Sequence, residues 1–515
     1  MNKESQTVNI PAAITTDMPR LQGALARFPR DRAMWIDGRE DASASEMVER
    51  YSPAHGVLVT RTPRGQAADA ERAIGAARQA FDHGPWPKMS AGERAGVLLR
   101  VADAIDRERD LLAHLDCLES GKPIAQARGE VEATADIWRY AAALARTLHG
   151  DSYASLGSER LGVVLREPVG VVAIITPWNF PLLIVSQKLP FALAAGCTCV
   201  VKPSEMTSAS TLHLARLLSE AGLPKGACNV ITGFGPEAGA PLATDPRVDM
   251  LTFTGSTQIG RAVMAAASAS LKKVAMELGG KNPQIVLADA DMEAAVDACA
   301  FGAYFNAGEC CNAGSRILVE GAIAEEFTAR LAKKVQQIRI GDPLDPEINI
   351  GAIISAGHLG KIEASIAAAT KAGAAIRTGG ARVAGDGLFM APTIVDGVTA
   401  DMAVATEEIF GPVVSVQTIA SPEDAIACAN ASSYGLSAAV WSRNIDVALH
   451  VSRQIRAGTV WINTFMDGTP ELPFGGYRQS GIGRELGRNA VADFTEEKTL
   501  HMHQGPRTAW WLPRV

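Results

Sequence analysis

The chain has 515 residues, 47% of them hydrophobic and 20% charged, with 49 basic and 56 acidic side chains and a formal net charge of -7. That length exceeds what one hydrophobic core serves, so two or more domains are expected. No long Lys/Arg run is present to grip a phosphate backbone or an anionic membrane surface, which argues against nucleic acid or a membrane as partner.

The first segment, MNKESQTVNIPAAITTDMPR, lacks an apolar core and carries Glu4 and Asp17. It reads as neither a secretory signal nor a transit peptide, and a cytoplasmic protein is expected. Residues 66–150 are Ala-rich and charged, with apolar residues three and four apart, as in ERAGVLLRVADAIDRERDLLAHLDCLES before Gly121. This spacing predicts a mostly helical region. From residue 162 short β-branched runs (GVVAIITPW, CTCVVKPS, CNVITG, DMLTFTGST) alternate with helical segments such as SASTLHLARLLSEAG. Fully apolar strands in a βαβα alternation predict an α/β fold whose parallel sheet is covered on both faces. The longest apolar stretch, Gly170 to Thr176, is too short to cross a bilayer. A second α/β unit starts near NPQIVLADADMEAAVDACAFGAYFN and runs to about 475, with strands expected at RILVEG, PTIVDG and VVSVQTI. The tail VADFTEEKTLHMHQG offers a late strand that leaves the body to pair elsewhere.

The eight cysteines form no CxxC pair and no zinc ladder, so reduced thiols and no metal site are expected. Cys197 and Cys199 alternate in GCTCVVKP and read as inert core, while His501 and His503 read as one face of a terminal strand. Two glycine-rich turns invite a nucleotide: TGFGPEAG with Gly233, Gly235 and Gly239, and FTGSTQIG with Gly255 and Gly260. The second has a strand before it and a helix after it, so free N–H groups with Ser256 suit a phosphate. The segment FNAGECCNAGSR sets Cys310 beside Cys311, and spacing alone does not choose between them.

Seven motifs in one order carry a stronger signal: ITPWNFP at 175–181, KPSE at 202–205, FTGST at 253–257, ELGGKNP at 277–283, GECCNAGSR at 308–316, EEIFGPV at 407–413 and PFGGYRQSGIGRELG at 473–487. Over nearly its whole length the chain resembles the NAD(P)-dependent aldehyde dehydrogenase superfamily, with features of the betaine-aldehyde and aminoaldehyde branch. The resemblance implies a Rossmann-type nucleotide-binding domain of residues 1–149 and 169–276, a catalytic α/β domain of 277–475, and oligomerisation strands at 150–168 and 493–515. A homodimer or homotetramer is implied as well. The missing GxGxxG is then explained, because this family holds its dinucleotide on the FTGST turn.

The resemblance also implies roles. Oxidising an aldehyde requires a nucleophile that makes the carbonyl carbon tetrahedral, and a thiolate is suited to this. The family pattern Gly-Glu/Gln-x-Cys selects Cys311, leaving Cys310 as a packed or accessory thiol. Asn179 corresponds to the side-chain donor to the oxyanion, Glu277 to the base that hydrolyses the thioester, and Lys188 with Glu485 to a proton path toward that base. The cofactor residues implied are Ile175, Thr176, Trp178, Lys202, Ser204, Glu205, Gly235, Phe253, Gly255, Ser256, Leu278, Glu408 and Phe410. NAD is expected over NADP, because Glu205 would face a 2′-phosphate as a like charge. Glu277 favours hydrolysis to a free acid over acyl transfer to coenzyme A. A CoA-acylating or esterase-type enzyme and a catalytically silent structural member are the alternatives. Arg478 stands where the family more often has lysine, and a structural effect only is expected. Asp467 or Glu471 before PFGG, with Trp138 and Tyr140 on the helix that resembles the entrance helix, suggest a mouth for cationic aldehydes.

Overall fold

The computed structural model of the protein describes residues 13–506 and 511–512. Residues 1–12, at the head of the expected nucleotide-binding region and including Glu4, lie outside the described residues, as do 507–510 and 513–515 at the end of the expected terminal strand.

The helical region is four helices, Ala67–Asp82, Ala91–Arg107, Arg109–Ser120 and Ile124–Ala145. The second begins with a reciprocal cap: Glu93 N–H donates to Ser90 Oγ at 3.3 Å and Ser90 N–H to the Glu93 carboxylate at 2.8 Å. The third ends at Gly121 with φ 87°, and a Cβ there would stand 2.8 Å from the Ala352 carbonyl. Only glycine fits this left-handed position against the second unit, whose Ala352 N–H donates back to Gly121 O at 3.0 Å. The contact sets the position of Lys122, the next residue.

The first sheet has five parallel strands in the spatial order Cys228–Val230, Thr198–Lys202, Val171–Ile175, Met250–Thr254, Lys273–Glu277. Helices cover it, and Val171 to Ile174, Val200, Val201 and Leu251 are fully enclosed. Burying each such side chain contributes about 1.5–3 kcal/mol, which is why these strands read as continuous apolar runs. The strand order reverses between Val171–Ile175 and Met250–Thr254, which opens a crevice at their carboxyl ends. Two antiparallel strands that the sequence reading did not anticipate, Met34–Ile36 and Arg39–Asp41, extend one edge.

The second sheet has six parallel strands, Thr393–Asp396, Val413–Ile419, Arg316–Glu320, Pro283–Val286, Ser437–Trp441 and Thr459–Ile462, with Ala375–Thr378 antiparallel at one edge. The boundary read at residue 277 falls on the last residue of a first-sheet strand, where Glu277 pairs with Thr254. The chain then crosses through Gly279 and Gly280 into Pro283–Val286. It returns after residue 475, where Gly481–Ile482 pairs antiparallel with Met276 and Glu277. The two sheets therefore meet along the backbone that carries Glu277.

The tail strand Thr495–His503 pairs antiparallel with Arg160–Pro168, which also holds Asp151–Tyr153, in a separate three-stranded sheet. His501 and His503 are exposed on it, and among the described residues no group of three or more metal-ligating side chains converges. No helix among the described residues is long and apolar enough to cross a membrane.

Candidate active site

Residues read from distant motifs lie at the carboxyl ends of the first-sheet strands. Thr176, Trp178 and Asn179 follow Val171–Ile175, Lys202 to Glu205 end or follow Thr198–Lys202, Gly255 and Ser256 follow Met250–Thr254, and Glu277 and Leu278 follow Met276. Glu408 and the loop of Cys311 approach from the second unit.

Cys311 is half-buried, whereas Cys310 is 5% exposed and packs with Phe180, Ile184 and Ala313. Cys310 Sγ donates to Asn312 Oδ1 at 2.8 Å. The backbone of the loop is anchored by Asn282, whose Nδ2 donates to Cys311 O and Ala313 O, both at 2.9 Å. Gly280 is required beneath it, since a Cβ there would stand 2.7 Å from Cys311 O. The Cys311 thiol is held well above its ordinary pKa by its hydrogen-bonded neighbour Cys310, by burial and by the nearby Glu408 charge. It is therefore protonated at rest, and thiolate formation calls for a base.

Glu277 is 6% exposed and its Oε2 has no hydrogen-bond partner. Burial pushes its carboxyl well up, with Cys311 acting in the same direction, while Lys188 and Arg484 oppose. Lys188 is enclosed, donates to Thr252 Oγ1 at 3.1 Å and forms an ion pair with Glu485. Burial brings Lys188 down to about 8 against the pull of Glu277 and Cys311. Lys188 and Glu485 line a cavity of about 720 Å³ with Thr252, Glu471 and Arg484, and Lys188 also acts on the Glu277 charge.

Asn179 is 3% exposed. Its Nδ2 donates to Glu309 O at 3.1 Å, which leaves a second N–H of the amide for another acceptor. Trp178 meets the Phe410 ring edge-on at 5.4 Å, and Phe410 itself has φ 58°. His358, which the motifs did not reveal, contacts both rings and bonds the Phe410 carbonyl through Nε2 at 2.6 Å.

Several features fit a dinucleotide. Thr176 Oγ1 and Thr254 Oγ1 are buried without partners at the ends of the two strands flanking the crevice. Ser256 caps the helix Thr257–Ala267, leaving its first N–H groups free. A Cβ on Gly255 would strike the Phe253 ring at 2.6 Å, and one on Gly260 would meet Leu278 at 2.4 Å. Lys202 and Glu205 lie 3.5 Å apart, with Ser204 buried between them in sequence. The turn that starts at Gly235 comes alongside, since a Cβ on Gly239 would lie 3.9 Å from Lys202 Cδ. Gly280 N–H donates to Glu408 Oε1 at 3.0 Å. Burial lifts the Glu408 carboxyl to about 7, against the Gly280 N–H and Lys281.

One residue of the expected mouth, Trp138, differs from the sequence reading. Trp138 is fully enclosed and its Nε1 donates to Ser186 Oγ at 2.9 Å, because that helix turns this position into the core. It offers no face to a cation. Tyr140 packs edge-on against Phe191 at 6.4 Å, and Asp467 and Glu471 are exposed, with Asp467 accepting from Thr464. Cys310 sits in a buried apolar cluster: Phe180 stacks on Phe305 at 6.3 Å, and Leu183 and Met466 pack beside them. Arg478 is exposed and donates to the carbonyls of Asn430 and Ser432.

The family model described as "Aldehyde dehydrogenase family" matches residues 39–500. The chain is 40% identical over 486 residues to the betaine aldehyde dehydrogenase of Bacillus subtilis (strain 168), covering 93% of this chain and 99% of that protein. Among solved structures it is similar to an NAD-dependent aldehyde dehydrogenase from Sinorhizobium meliloti, with TM-score 0.95, 48% identity and coverage of 97% and 99%. It is also similar to betaine aldehyde dehydrogenase from Staphylococcus aureus in complex with NAD+, with TM-score 0.94, 37% identity and coverage of 96% and 100%.

Proposed function

The chain belongs to the aldehyde dehydrogenase family, and from that premise we propose that Cys311, Asn179 and Glu277 carry out the NAD-dependent oxidation of an aldehyde to its carboxylic acid. The observation that carries this assignment is the convergence of three motifs on one backbone seam, with Asn282 and Gly280 of the Glu277 segment holding the Cys311 loop.

The Cys311 thiol passes its proton to a base as its sulfur bonds the aldehyde carbon, and Glu277 is the carboxylate whose charge is coupled to it. The alkoxide of the resulting thiohemiacetal takes the free N–H of Asn179 and the backbone N–H of Cys311, donors already in place before the charge develops. NAD, when bound, is the acceptor of the hydride that leaves this carbon, and a thioester on Cys311 remains. Lys202, Glu205, Ser256 and Glu408 are the residues that would hold NAD, with Ile175, Thr176, Trp178, Ser204, Gly235, Phe253, Gly255, Leu278 and Phe410 lining the crevice. Once Glu277 has released the proton taken from the thiol, it takes a proton from water as the water oxygen attacks the thioester carbon, and passing that proton to the departing sulfur frees the acid and the thiol. Its unpartnered Oε2 suits that task. The proton released before that step, the one first taken from the Cys311 thiol, is relayed by Lys188 and Glu485 toward the large cavity.

The apolar cluster beside the Cys311 loop and the enclosure of Trp138 support a neutral aliphatic or aromatic aldehyde over a cationic one. A homodimer or homotetramer is supported by the three-stranded sheet, whose Tyr153, Leu165, Leu500 and Met502 are exposed together with Leu156 in its connecting loop. Its segments 150–168 and 493–515 serve as oligomerisation strands beside the nucleotide-binding domain of 1–149 and 169–276 and the catalytic domain of 277–475. Free thiols throughout suit a reducing, cytoplasmic setting.

The test mixes the protein with NAD and a panel of aldehydes that includes betaine aldehyde and benzaldehyde, with and without coenzyme A, and follows absorbance of the reduced cofactor. Reduction independent of coenzyme A with release of free acid is expected. An absolute requirement for coenzyme A would move the protein to the acyl-transferring alternative.

A further inference from the structure

Two backbone carbonyls, those of Asn179 and Glu309, are tied together by one side chain. Asn306 Nδ2 donates to Asn179 O at 3.2 Å and to Glu309 O at 3.0 Å. Glu309 O is also the acceptor that orients the Asn179 amide. Asn179 O receives a second donor, Lys122 Nζ at 2.8 Å, and the same ammonium pairs with buried Glu130 and lies 4.4 Å from the centre of the Phe180 ring. Both the main chain that carries the Asn179 side chain and the carbonyl that aims it are thus held from one point, within a region where Asn306, Glu309, Lys122 and Glu130 are all buried.

The backbone at that point is unusual. Asn306 has φ 52° and ψ 39°, Ala307 φ 55° and Gly308 φ 71°, three successive left-handed residues immediately before Glu309, Cys310 and Cys311. Asparagine tolerates this region better than most residues. Asn306 therefore has two separable features, a left-handed backbone that turns the chain toward Cys311 and an amide that bridges two carbonyls.

We propose that Asn306 is a positioning residue for the oxidation, its amide locking Asn179 in the orientation that presents an N–H to the developing oxyanion, with Lys122 as the second clamp. The inference rests on the reading of Asn179 as oxyanion donor. Asn306 touches neither substrate nor cofactor, so its removal alters the placement of a transition-state donor and leaves cofactor binding intact. A misplacement of this kind lowers kcat more than it raises KM.

Glycine separates the two features, because it adopts the left-handed backbone freely while lacking the amide. In Asn306→Gly, kcat is expected to fall by roughly 10- to 100-fold, up to the order that a 1 Å misplacement costs and below the roughly 100- to 1000-fold of losing an oxyanion donor outright. KM for NAD and the rate of Cys311 labelling by iodoacetamide are expected to stay at wild-type values. Asn306→Asp, which keeps the side-chain shape but turns an acceptor toward the two carbonyls, is expected to show the same loss and serves should the glycine variant not fold. Adding Asn306→Gly to Asn179→Ala is expected to cost no further activity. Wild-type kcat in Asn306→Gly, beside a large loss in Asn179→Ala, would overturn the positioning role and leave the oxyanion reading standing. Wild-type kcat in Asn179→Ala would overturn both.

Discussion

A Cβ added to Gly279 would stand 2.1 Å from Glu408 Oε2, while the next N–H along the chain, that of Gly280, donates to Glu408 Oε1 at 3.0 Å. The carboxylate assigned to the cofactor is thus seated on a turn that has no room for a side chain. Gly279→Ala displaces Glu408, and its KM for NAD is expected to rise about tenfold, the equivalent of about 1.4 kcal/mol. Iodoacetamide labelling of Cys311 provides the control for an intact catalytic loop. If KM for NAD does not change, Glu408 is not a cofactor ligand.

Cys311 and Cys310 are distinguished by substitution. Cys311→Ala is expected to abolish reduction of NAD, whereas Cys310→Ala, which removes a buried sulfur from an apolar cluster, keeps most of the activity and loses about 1 kcal/mol of stability. Steady-state rates and thermal melts of the two variants check this. Loss of activity in Cys310→Ala alone would reverse the assignment.

Glu277→Gln keeps the shape of the side chain and removes the base. A burst of reduced cofactor followed by a slow steady state is expected in rapid mixing, with acyl-enzyme accumulating. Because burial raises the Glu277 carboxyl, its basic form appears only as pH rises. The ascending limb of kcat in the wild type should therefore lie well above the ordinary carboxylate value of about 4.3 and should vanish in the variant. A wild-type limb at that ordinary value would contradict a buried base.

Glu205→Gln tests cofactor choice. The carboxylate that would hydrogen-bond the adenosine ribose repels a 2′-phosphate, and Lys202 at 3.5 Å offsets this only in part. The ratio of kcat/KM for NADP to that for NAD is expected to rise in the variant. Equal use of both cofactors by the wild type would show that Glu205 does not control the choice.

Asp116 is 1% exposed, its two carboxylate oxygens have no partner, and burial pushes its carboxyl up to about 7. Its unfolded value is about 3.9, so the folded state binds the proton more tightly, and stability present below that value is lost as pH rises through about 7. The loss amounts to at most about 4 kcal/mol at pH 8. Asp116→Asn is expected to raise Tm at pH 8, with the gain shrinking toward pH 5. A gain independent of pH would show that the carboxyl is not the titrating group.

The positions of most parallel strands, the helical region between residues 66 and 150 and the FTGST turn were legible in the sequence, because each is written in local periodicity and turn chemistry. The hairpin strands before residue 66 were not, since Arg39–Asp41 is short, polar and largely exposed at a sheet edge and shows no apolar alternation. Trp138 was misread for a related reason. A helix pattern marks which residues share a face, but which body covers that face depends on packing, here on Ser186 and the helices around it.

By itself the sequence determined the chemistry available: a thiol three residues after Gly308, a carboxylate beside paired glycines, an amide before a proline, and α/β elements to carry them. Tertiary structure alone decided how these groups act on one another. Asn306 reaches Asn179, and Glu408 reaches the Gly280 N–H, only because the chain crosses between two sheets at Gly279–Gly280, and the tail strand finds Arg160–Pro168 more than three hundred residues away. Burial of that seam from water then set the protonation of Glu277 and Lys188, since desolvation depends on everything packed around a group, whereas the Cys311 thiol is raised first by its sequence neighbour Cys310 and then by burial.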